Sequence, residues 1–147
     1  AYQDNTWFFD KLKAAGGKFD IIGLSHYPMT NSGMTWKAMN SSAILNIKTL
    51  AAKYGCKVMV CEIGVRDTAS DLAVSTQCIT EFMSSVKPLS VCAGVFYWEP
   101  QVDGKWKPSI YEKSDRNWGA YSMGAFTSDG STFSPTSILS AFGGGDS

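Results

Sequence analysis

Residues 57–64 have the sequence KVMVCEIG, an apolar run of strand length that ends in a glutamate and a glycine. The valine-rich part from Lys57 to Cys61 favours a buried β-strand of the kind found in parallel sheets. Glu62 follows this run directly, where packing gives no reason for a carboxylate. The stretch therefore predicts a buried strand with a functional group at its carboxyl end.

Two further apolar runs flank this stretch at intervals of about 35 to 40 residues, from Phe19 to Ser25 and from Ala93 to Tyr97. Apolar residues at helical spacing predict the helices between them. The helices run from Thr6 to Ala15, from a cap at Ser41 or Ser42 to Tyr54 with Gly55 after it, and from Asp71 to Val86.

This alternation predicts parallel strands joined by right-handed crossovers. Three strands cannot close a barrel, and a (β/α)8 TIM barrel takes about 250 residues. The predicted fold class is therefore α/β, with this chain as part of a (β/α)8 TIM barrel. The alternative is a compact domain on a three-stranded sheet, which would leave two buried-type strands as edges. The glycine-rich end, residues 143–147, predicts a flexible tail.

Composition excludes several classes of protein. The 147 residues are 44% apolar, which excludes a disordered chain, and no apolar run has the ~18–20 residues of a membrane helix. Thirteen basic and thirteen acidic residues are scattered and give zero net charge, which argues against nucleic acid as a partner. One histidine and no C-x-x-C spacing argue against zinc, and one or two disulfides among Cys56, Cys61, Cys78 and Cys92 stay open.

The ends of the three predicted strands carry polar and aromatic side chains, in SHYP, CEIG and YWEP. Parallel α/β folds place their active residues at these ends. Because side chains alternate along a strand, we expect Tyr27, Glu62 and Trp98 to converge at one rim, with the Tyr27 hydroxyl near enough to donate to Glu62. The same alternation puts Gly23, Ser25, Val58, Val60, Gly94 and Phe96 on this inward face, and Met59 and Cys61 in the helical layer.

A carboxylate beside an aromatic hydroxyl and a tryptophan is the combination that glycoside cleavage requires. The carboxylate attacks or stabilises the anomeric carbon of an oxocarbenium-like transition state, and an indole stacks on the apolar face of a pyranose ring. A neutral polysaccharide also fits the zero net charge of the chain. These residues therefore predict a glycosidase site.

The stretches FDIIGLSHYP, KVMVCEIG and GVFYWEP, in this order and at these spacings, resemble the last three barrel strands of the family 53 glycoside hydrolases. KYGCKVMVCEIG is similar to the family's passage from helix to strand, and SMGAFTSDGSTFSPTSILSAF to its closing segment with a final short helix. The resemblance extends from about Trp7 to Phe142. It implies that residues 1–142 are the C-terminal part of a (β/α)8 barrel whose first five strands lie outside this chain.

The family's activity is that of an endo-β-1,4-galactanase on arabinogalactan, the galactan of pectin side chains. The resemblance implies that Glu62 is the catalytic nucleophile, and that Trp98 lines the subsite next to the cleaved bond. Tyr27, whose phenol would orient the carboxylate, is a further candidate substrate contact. The family's general acid/base is a glutamate after an asparagine, and no Asn-Glu pair occurs here. The acid/base is therefore expected on the absent N-terminal part. The family also implies a secreted, periplasmic or cell-surface enzyme that requires no cofactor, and no motif here supports a structural calcium.

Four more residues near the strand ends are candidate substrate contacts, and each has a structural alternative. By alternation His26 points outward, as a structural histidine or a substrate contact, and the family commonly has a tyrosine there. Glu99 is expected to contact substrate or to hold the loop by a salt bridge, and not to be the second catalytic carboxylate. Trp106 and Trp118, in the long loop after the third strand, are either sugar platforms or the loop's own core.

Two other functions are consistent with the same residues. One is a retaining glycosidase of the same barrel clan that cuts mannan, xylan or β-glucan. The other is a non-catalytic carbohydrate-binding fragment, in which the aromatic side chains only hold sugar. For an enzyme, the expected partners are a polysaccharide and the rest of the barrel, and this chain alone is expected to be inactive.

Overall fold

The computed structural model describes residues 5–30, 33–101 and 122–143. Strands and helices alternate along the first 97 residues of the chain, as the sequence predicts. The elements are α1 (Thr6–Ala14), β1 (Ile21–His26), α2 (Trp36–Tyr54), β2 (Lys57–Ile63), α3 (Leu72–Val86), β3 (Cys92–Tyr97), β4 (Phe126–Ser128), β5 (Phe133–Pro135) and α4 (Ser137–Gly143).

The main sheet has the strand order β1-β2-β3, and both of its strand pairs are parallel. The predicted parallel sheet is therefore confirmed. Strands β4 and β5 form a separate antiparallel pair, in which Phe126 lies opposite Pro135. This hairpin was not expected from the sequence, because its strands have three residues each and no buried face.

Helices cover one side of the main sheet. Ile22 and Leu24 of β1 and Val58 and Val60 of β2 are buried on that side, in one cluster with apolar residues of α2, α3 and α4. Burial of this apolar surface is the main stabilising contribution to the fold. The largest buried helical side chains in the cluster are Ile47, Leu50, Ile79, Phe82 and Ile138.

The opposite side of the sheet is exposed. Ile21, Phe96 and Trp98 are 46%, 55% and 43% exposed, and Gly23 and Ser25 of β1 are exposed as well. Helices on one side and an open apolar surface on the other are what the sequence predicts for a segment of a barrel.

Helix α2 is longer than its sequence signals predict. It begins at Trp36, where the Thr35 hydroxyl accepts a hydrogen bond from the Ala38 amide over 3.2 Å, so the predicted cap at Ser41 or Ser42 is wrong. Its end is confirmed at Tyr54, because Gly55 adopts the left-handed conformation with φ of 65°.

The chain end differs slightly from the prediction of a tail over residues 143–147. Gly143 is the last residue of α4, and residues 144–147 lie outside the described part of the chain. Over the described residues, the structure contains no helix that is both long enough and apolar enough to cross a membrane.

Candidate active site

A tyrosine and a glutamate meet at the carboxyl ends of β1 and β2. The Tyr27 hydroxyl donates a hydrogen bond to Glu62 Oε2 over 2.7 Å, between residues that are 35 positions apart. This hydrogen bond is the one predicted from the sequence. The other carboxylate oxygen, Glu62 Oε1, accepts no hydrogen bond from any described residue. The pair therefore holds one oxygen of the carboxylate and leaves the other available to a ligand.

Glu62 reaches this rim through a β-bulge and not through simple alternation. Leu24 pairs with Val60 but the next residue, Ser25, pairs with Glu62, so Cys61 is an extra residue in β2. Glu62 consequently lies on the exposed side of the sheet with its partner Ser25.

The same bulge makes part of the predicted face assignment wrong. Val58 and Val60 are 0% and 1% exposed and belong to the core under the helices, not to the inward face. Met59 pairs with Gly23 on the other side, and Cys61 Sγ lies there too, 2.7 Å from the position of a Cβ added to Gly23. Met59 and Cys61 therefore do not point into the helical layer, because the helices cover the side of Val58 and Val60.

Gly64 is the point where the three strand ends come together. A Cβ added to Gly64 would lie 2.8 Å from the Trp98 carbonyl oxygen and 2.9 Å from Cε1 of Tyr27. The Gly64 amide donates to the His26 carbonyl oxygen over 3.3 Å, and the Trp98 amide donates to the Ile63 carbonyl oxygen over 2.9 Å. Tyr27, Glu62 and Trp98 therefore lie at one edge of the sheet.

His26 occupies a different environment from its neighbour Tyr27. It is 1% exposed on the helix side of the sheet, its Nε2 lies 2.8 Å from Asn40 Oδ1, and its ring centroid is 4.8 Å from that of Phe82. Burial lowers the pKa of His26, and the hydrogen bond to Asn40 opposes this only in part. His26 therefore lies on the side of the sheet that alternation predicts, under the helices.

Tyr97 ties the loop after β2 to the segment before β4, a role that the sequence analysis missed. Its hydroxyl lies 3.0 Å from the Met123 carbonyl oxygen and 3.2 Å from that of Gly124, and it accepts from the Val65 amide over 3.4 Å. Burial raises the pKa of Tyr97 to about 12. Asp67 strengthens the same connection, because its Oδ2 accepts from the Gly124 amide over 2.8 Å. Alternation places Tyr97 on the side opposite Trp98, but the loop that it would contact could not be inferred.

A cavity of about 540 Å³ lies among the loops that follow β1 and β2. Two of its residues, Met29 and Thr30, follow Tyr27 closely, and Arg66 follows Glu62 by four positions. The Arg66 guanidinium makes no hydrogen bond or ion pair with any described residue. The lining residues are Met29, Thr30, Arg66, Thr68, Asp71, Ser122 and Met123.

The three remaining sequence candidates follow β3 along the chain. Glu99 is half-buried just after Trp98, and the peptide bond between the two is cis. Trp106 and Trp118 lie outside the described residues.

The cysteines and the acidic residues do not form a metal site in the described ranges. No group of three or more histidine, cysteine, aspartate or glutamate side chains there could hold an ion. All four cysteines are free thiols, with Cys61 exposed and Cys78 buried, so the disulfides that the sequence left open are not formed.

Comparison with known proteins identifies the family to which this chain belongs. Residues 2–138 match Glycosyl hydrolase family 53, and the chain belongs to this family of glycosidases. The fold of the family is the (β/α)8 TIM barrel, and the parallel sheet described above belongs to the same α/β class.

Curated relatives agree with this assignment. A probable arabinogalactan endo-β-1,4-galactanase A of Aspergillus terreus is 30% identical in an alignment 124 residues long, which covers 66% of this chain and 34% of the relative. The protein of the same name in Aspergillus fumigatus is 27% identical over the same length. An uncharacterised protein in the bgaB 5′ region of Niallia circulans is 28% identical in an alignment 142 residues long, which covers 79% of this chain and 36% of the relative. The chain thus spans about a third of the length of these relatives.

Proposed function

We propose that this chain carries the nucleophile side of a retaining endo-β-1,4-galactanase and forms the last three strands of its (β/α)8 barrel. We use the term full-length enzyme for a chain that contains these 147 residues together with the first five strands of the barrel. The observation that carries the proposal is the 2.7 Å hydrogen bond from Tyr27 to Glu62 at the carboxyl ends of parallel strands. Catalytic groups of barrel enzymes lie at these ends.

Each residue of the rim has a distinct task in this reaction. Glu62 Oε1 attacks the anomeric carbon as the bond to the leaving oxygen breaks, while Tyr27 holds Oε2 and keeps the carboxylate oriented. The exposed indole of Trp98 stacks on a galactose ring. A water molecule then attacks the glycosyl-enzyme ester, which releases the sugar with retained configuration and restores Glu62.

The general acid/base comes from outside these residues in this proposal. It protonates the leaving oxygen in the first step and takes a proton from water in the second. In a retaining enzyme it lies about 5–5.5 Å from the nucleophile, because no water has to fit between them. Since one carboxylate cannot be both nucleophile and leaving-group acid, the 147-residue chain alone should bind galactan weakly and hydrolyse none.

The substrate assignment follows the names of the fungal relatives, which are probable arabinogalactan endo-β-1,4-galactanases. For an enzyme with a polymeric substrate of this kind, we expect a secreted, periplasmic or surface-bound location. The second candidate is a glycosidase of the same clan that acts on mannan, xylan or β-glucan. A digestion panel of these polysaccharides and galactan separates the two, and galactan should be cut at least about 100-fold faster.

A substitution at Glu62 distinguishes an enzyme from a non-catalytic sugar-binding fragment. Glu62→Gln in the full-length enzyme should lower kcat on galactan by about 1,000-fold or more, because a neutral amide cannot attack. Glu81→Gln is the matched control, since Glu81 lies on α3 in an exposed ion pair with Lys37 and should leave kcat unchanged. Equal activity of Glu62→Gln and the unaltered enzyme would refute the assignment of the nucleophile.

A further inference from the structure

A buried chain of hydrogen bonds connects α3, α2 and β1 directly beneath the rim. Asn40 of α2 donates from Nδ2 to the Cys78 carbonyl oxygen of α3 over 3.0 Å. Its Oδ1 lies 2.8 Å from Nε2 of His26, the last residue of β1. Asn40 is 5% exposed and His26 1%. Polar groups at such depth are costly unless they are paired, so each of these groups depends on the next.

The direction of these hydrogen bonds is fixed by chemistry. A backbone carbonyl oxygen only accepts, so the amide nitrogen of Asn40 faces Cys78 and its oxygen faces His26. His26 must then carry a proton on Nε2 and donate it to Asn40. The histidine ring is therefore held in one tautomer and one orientation, and its contact with Phe82 fixes its plane further.

His26 is also tied to the rim through its backbone. Its carbonyl oxygen accepts from the Gly64 amide over 3.3 Å, and the next residue is Tyr27. The Tyr27 carbonyl oxygen accepts from the Thr30 hydroxyl over 2.9 Å, which fixes the chain on the far side of the tyrosine. Movement of the His26 side chain would thus carry Tyr27 with it.

We propose that Asn40 and His26 are positioning residues, which act through the end of β1 to keep the Tyr27 hydroxyl on Glu62. For activity this inference rests on the proposed function, but its geometric part does not. A buried hydrogen-bond network can hold the neighbouring backbone in one defined position, and Tyr27 follows His26 directly as a half-buried residue.

The network is uncharged at neutral pH. Burial lowers the pKa of His26, and burial raises the pKa of the Cys78 thiol to about 12 with a smaller contribution from Glu81. The described contacts of the His26 side chain include the Asn40 amide and the Phe82 ring, and neither group carries a charge. A neutral hydrogen-bonded network avoids the cost of a buried ion pair.

The first test is structural and needs no activity. In a crystal structure of the full-length enzyme, Asn40→Leu should lengthen the distance from Tyr27 Oη to Glu62 Oε2 beyond the 2.7 Å seen here, out of hydrogen-bond range. The matched control is Asn46→Leu on the same helix, because Asn46 makes no contact with His26 and its Nδ2 has no hydrogen-bond partner among the described residues. An unchanged distance in Asn40→Leu would overturn the proposal.

A second pair of variants at His26 guards against a failure of Asn40→Leu to fold. His26→Phe keeps a ring against Phe82 but cannot donate to Asn40, whereas His26→Gln places an amide N–H near the position of Nε2. In the same crystallographic comparison, His26→Phe should lose the hydrogen bond from Tyr27 to Glu62 and His26→Gln should keep it. If both variants keep that hydrogen bond, the inference is contradicted.

Kinetics then separate positioning from a general structural role. His26→Phe should lower kcat on galactan by about 10-fold with KM changed by less than about 2-fold, and His26→Gln should restore most of kcat. When His26→Phe is added to Tyr27→Phe, kcat should fall by less than about a further 2-fold, because both substitutions remove the same hydrogen bond from Tyr27 to Glu62. Additive losses would show that His26 does not act through Tyr27. An enzyme without any glycosidase activity would refute the proposed function, while the crystallographic distances would still decide the positioning claim.

Discussion

The backbones of Gly64 and Trp98 are in contact, and a Cβ at Gly64 would lie 2.8 Å from the Trp98 carbonyl oxygen. Real Cβ atoms do not approach other atoms so closely, and a backbone carbonyl cannot turn away as the tip of a long side chain can. The ring of Tyr27, 2.9 Å from the same position, closes the other side. Trp98 and Tyr27 can therefore lie this close to residue 64 only because it has no side chain.

Gly64→Ala should destabilise the full-length enzyme by about 1–3 kcal/mol, because the added methyl forces the backbone at Trp98 or the Tyr27 ring to shift. It should also lower kcat, since both neighbours lie beside Glu62. Gly143→Ala is the control, because nothing lies within 4 Å of a Cβ added there. Urea unfolding and galactan hydrolysis measure the two effects. Equal stability of the two alanine variants would contradict this description of the rim.

Tyr97→Phe should lower the free energy of unfolding by about 1–3 kcal/mol, because it removes the O–H donor that lies between the carbonyl oxygens of the half-buried Met123 and the buried Gly124. The ring contact with Phe142 is kept in this variant, so the loss reports the hydroxyl. Tyr54→Phe provides the comparison, since the Tyr54 hydroxyl lies 2.8 Å from the exposed Asp10 carboxylate and 3.0 Å from the Thr6 carbonyl oxygen, and its loss should cost less than loss of the Tyr97 hydroxyl. Chemical denaturation of both variants checks the prediction, and a larger loss at Tyr54 would contradict it.

The buried histidine should make stability depend on pH. Burial lowers the pKa of folded His26 below its ordinary value of 6.5, so the unfolded chain takes up a proton first as the pH falls. The free energy of unfolding should therefore decrease below pH 6.5 and level off once folded His26 is protonated too. His26→Gln should lack this slope. Denaturant unfolding at pH 7.5 and 5.5 tests it, and an equal change with pH in both proteins would contradict it.

Cys61 offers a chemical test of the barrel. Its thiol is exposed on the open side of the sheet, whereas the interior of a closed (β/α)8 barrel is filled with side chains. Iodoacetamide should label Cys61 in the isolated 147-residue chain and leave it unlabelled in the folded full-length enzyme. The buried Cys78 should resist the reagent in both and serves as the control. Rapid labelling of Cys61 in the full-length enzyme would contradict the barrel.

Much of the fold could be predicted from hydrophobic periodicity, because the three parallel strands and the ends of α2 and α3 lie in apolar runs bounded by clear stop signals. The start of α2 could not, since its buried face carries the polar Asn40 where periodicity predicts an apolar residue. That asparagine is buried for its hydrogen bonds to His26 and Cys78, which only the tertiary structure brings near.

The candidate site could also be predicted only in part. Residue type and position at a strand end identified Tyr27 and Glu62, and their hydrogen bond is present. Alternation gave the wrong face for Val58, Val60 and Cys61, because a bulge adds one residue to β2 and no local signal marks it. The expected side of Glu62 is correct only because the bulge moves it there.

The claim that Glu62 is the nucleophile is tested most directly by trapping the glycosyl-enzyme. A 2-deoxy-2-fluoro-β-galactoside with a good leaving group slows hydrolysis of the ester, so the sugar stays on the carboxylate that attacked. After incubation of the full-length enzyme and peptide mapping by mass spectrometry, the account predicts one fluorogalactosyl group on Glu62. A label on another carboxylate, such as Glu99, would contradict it.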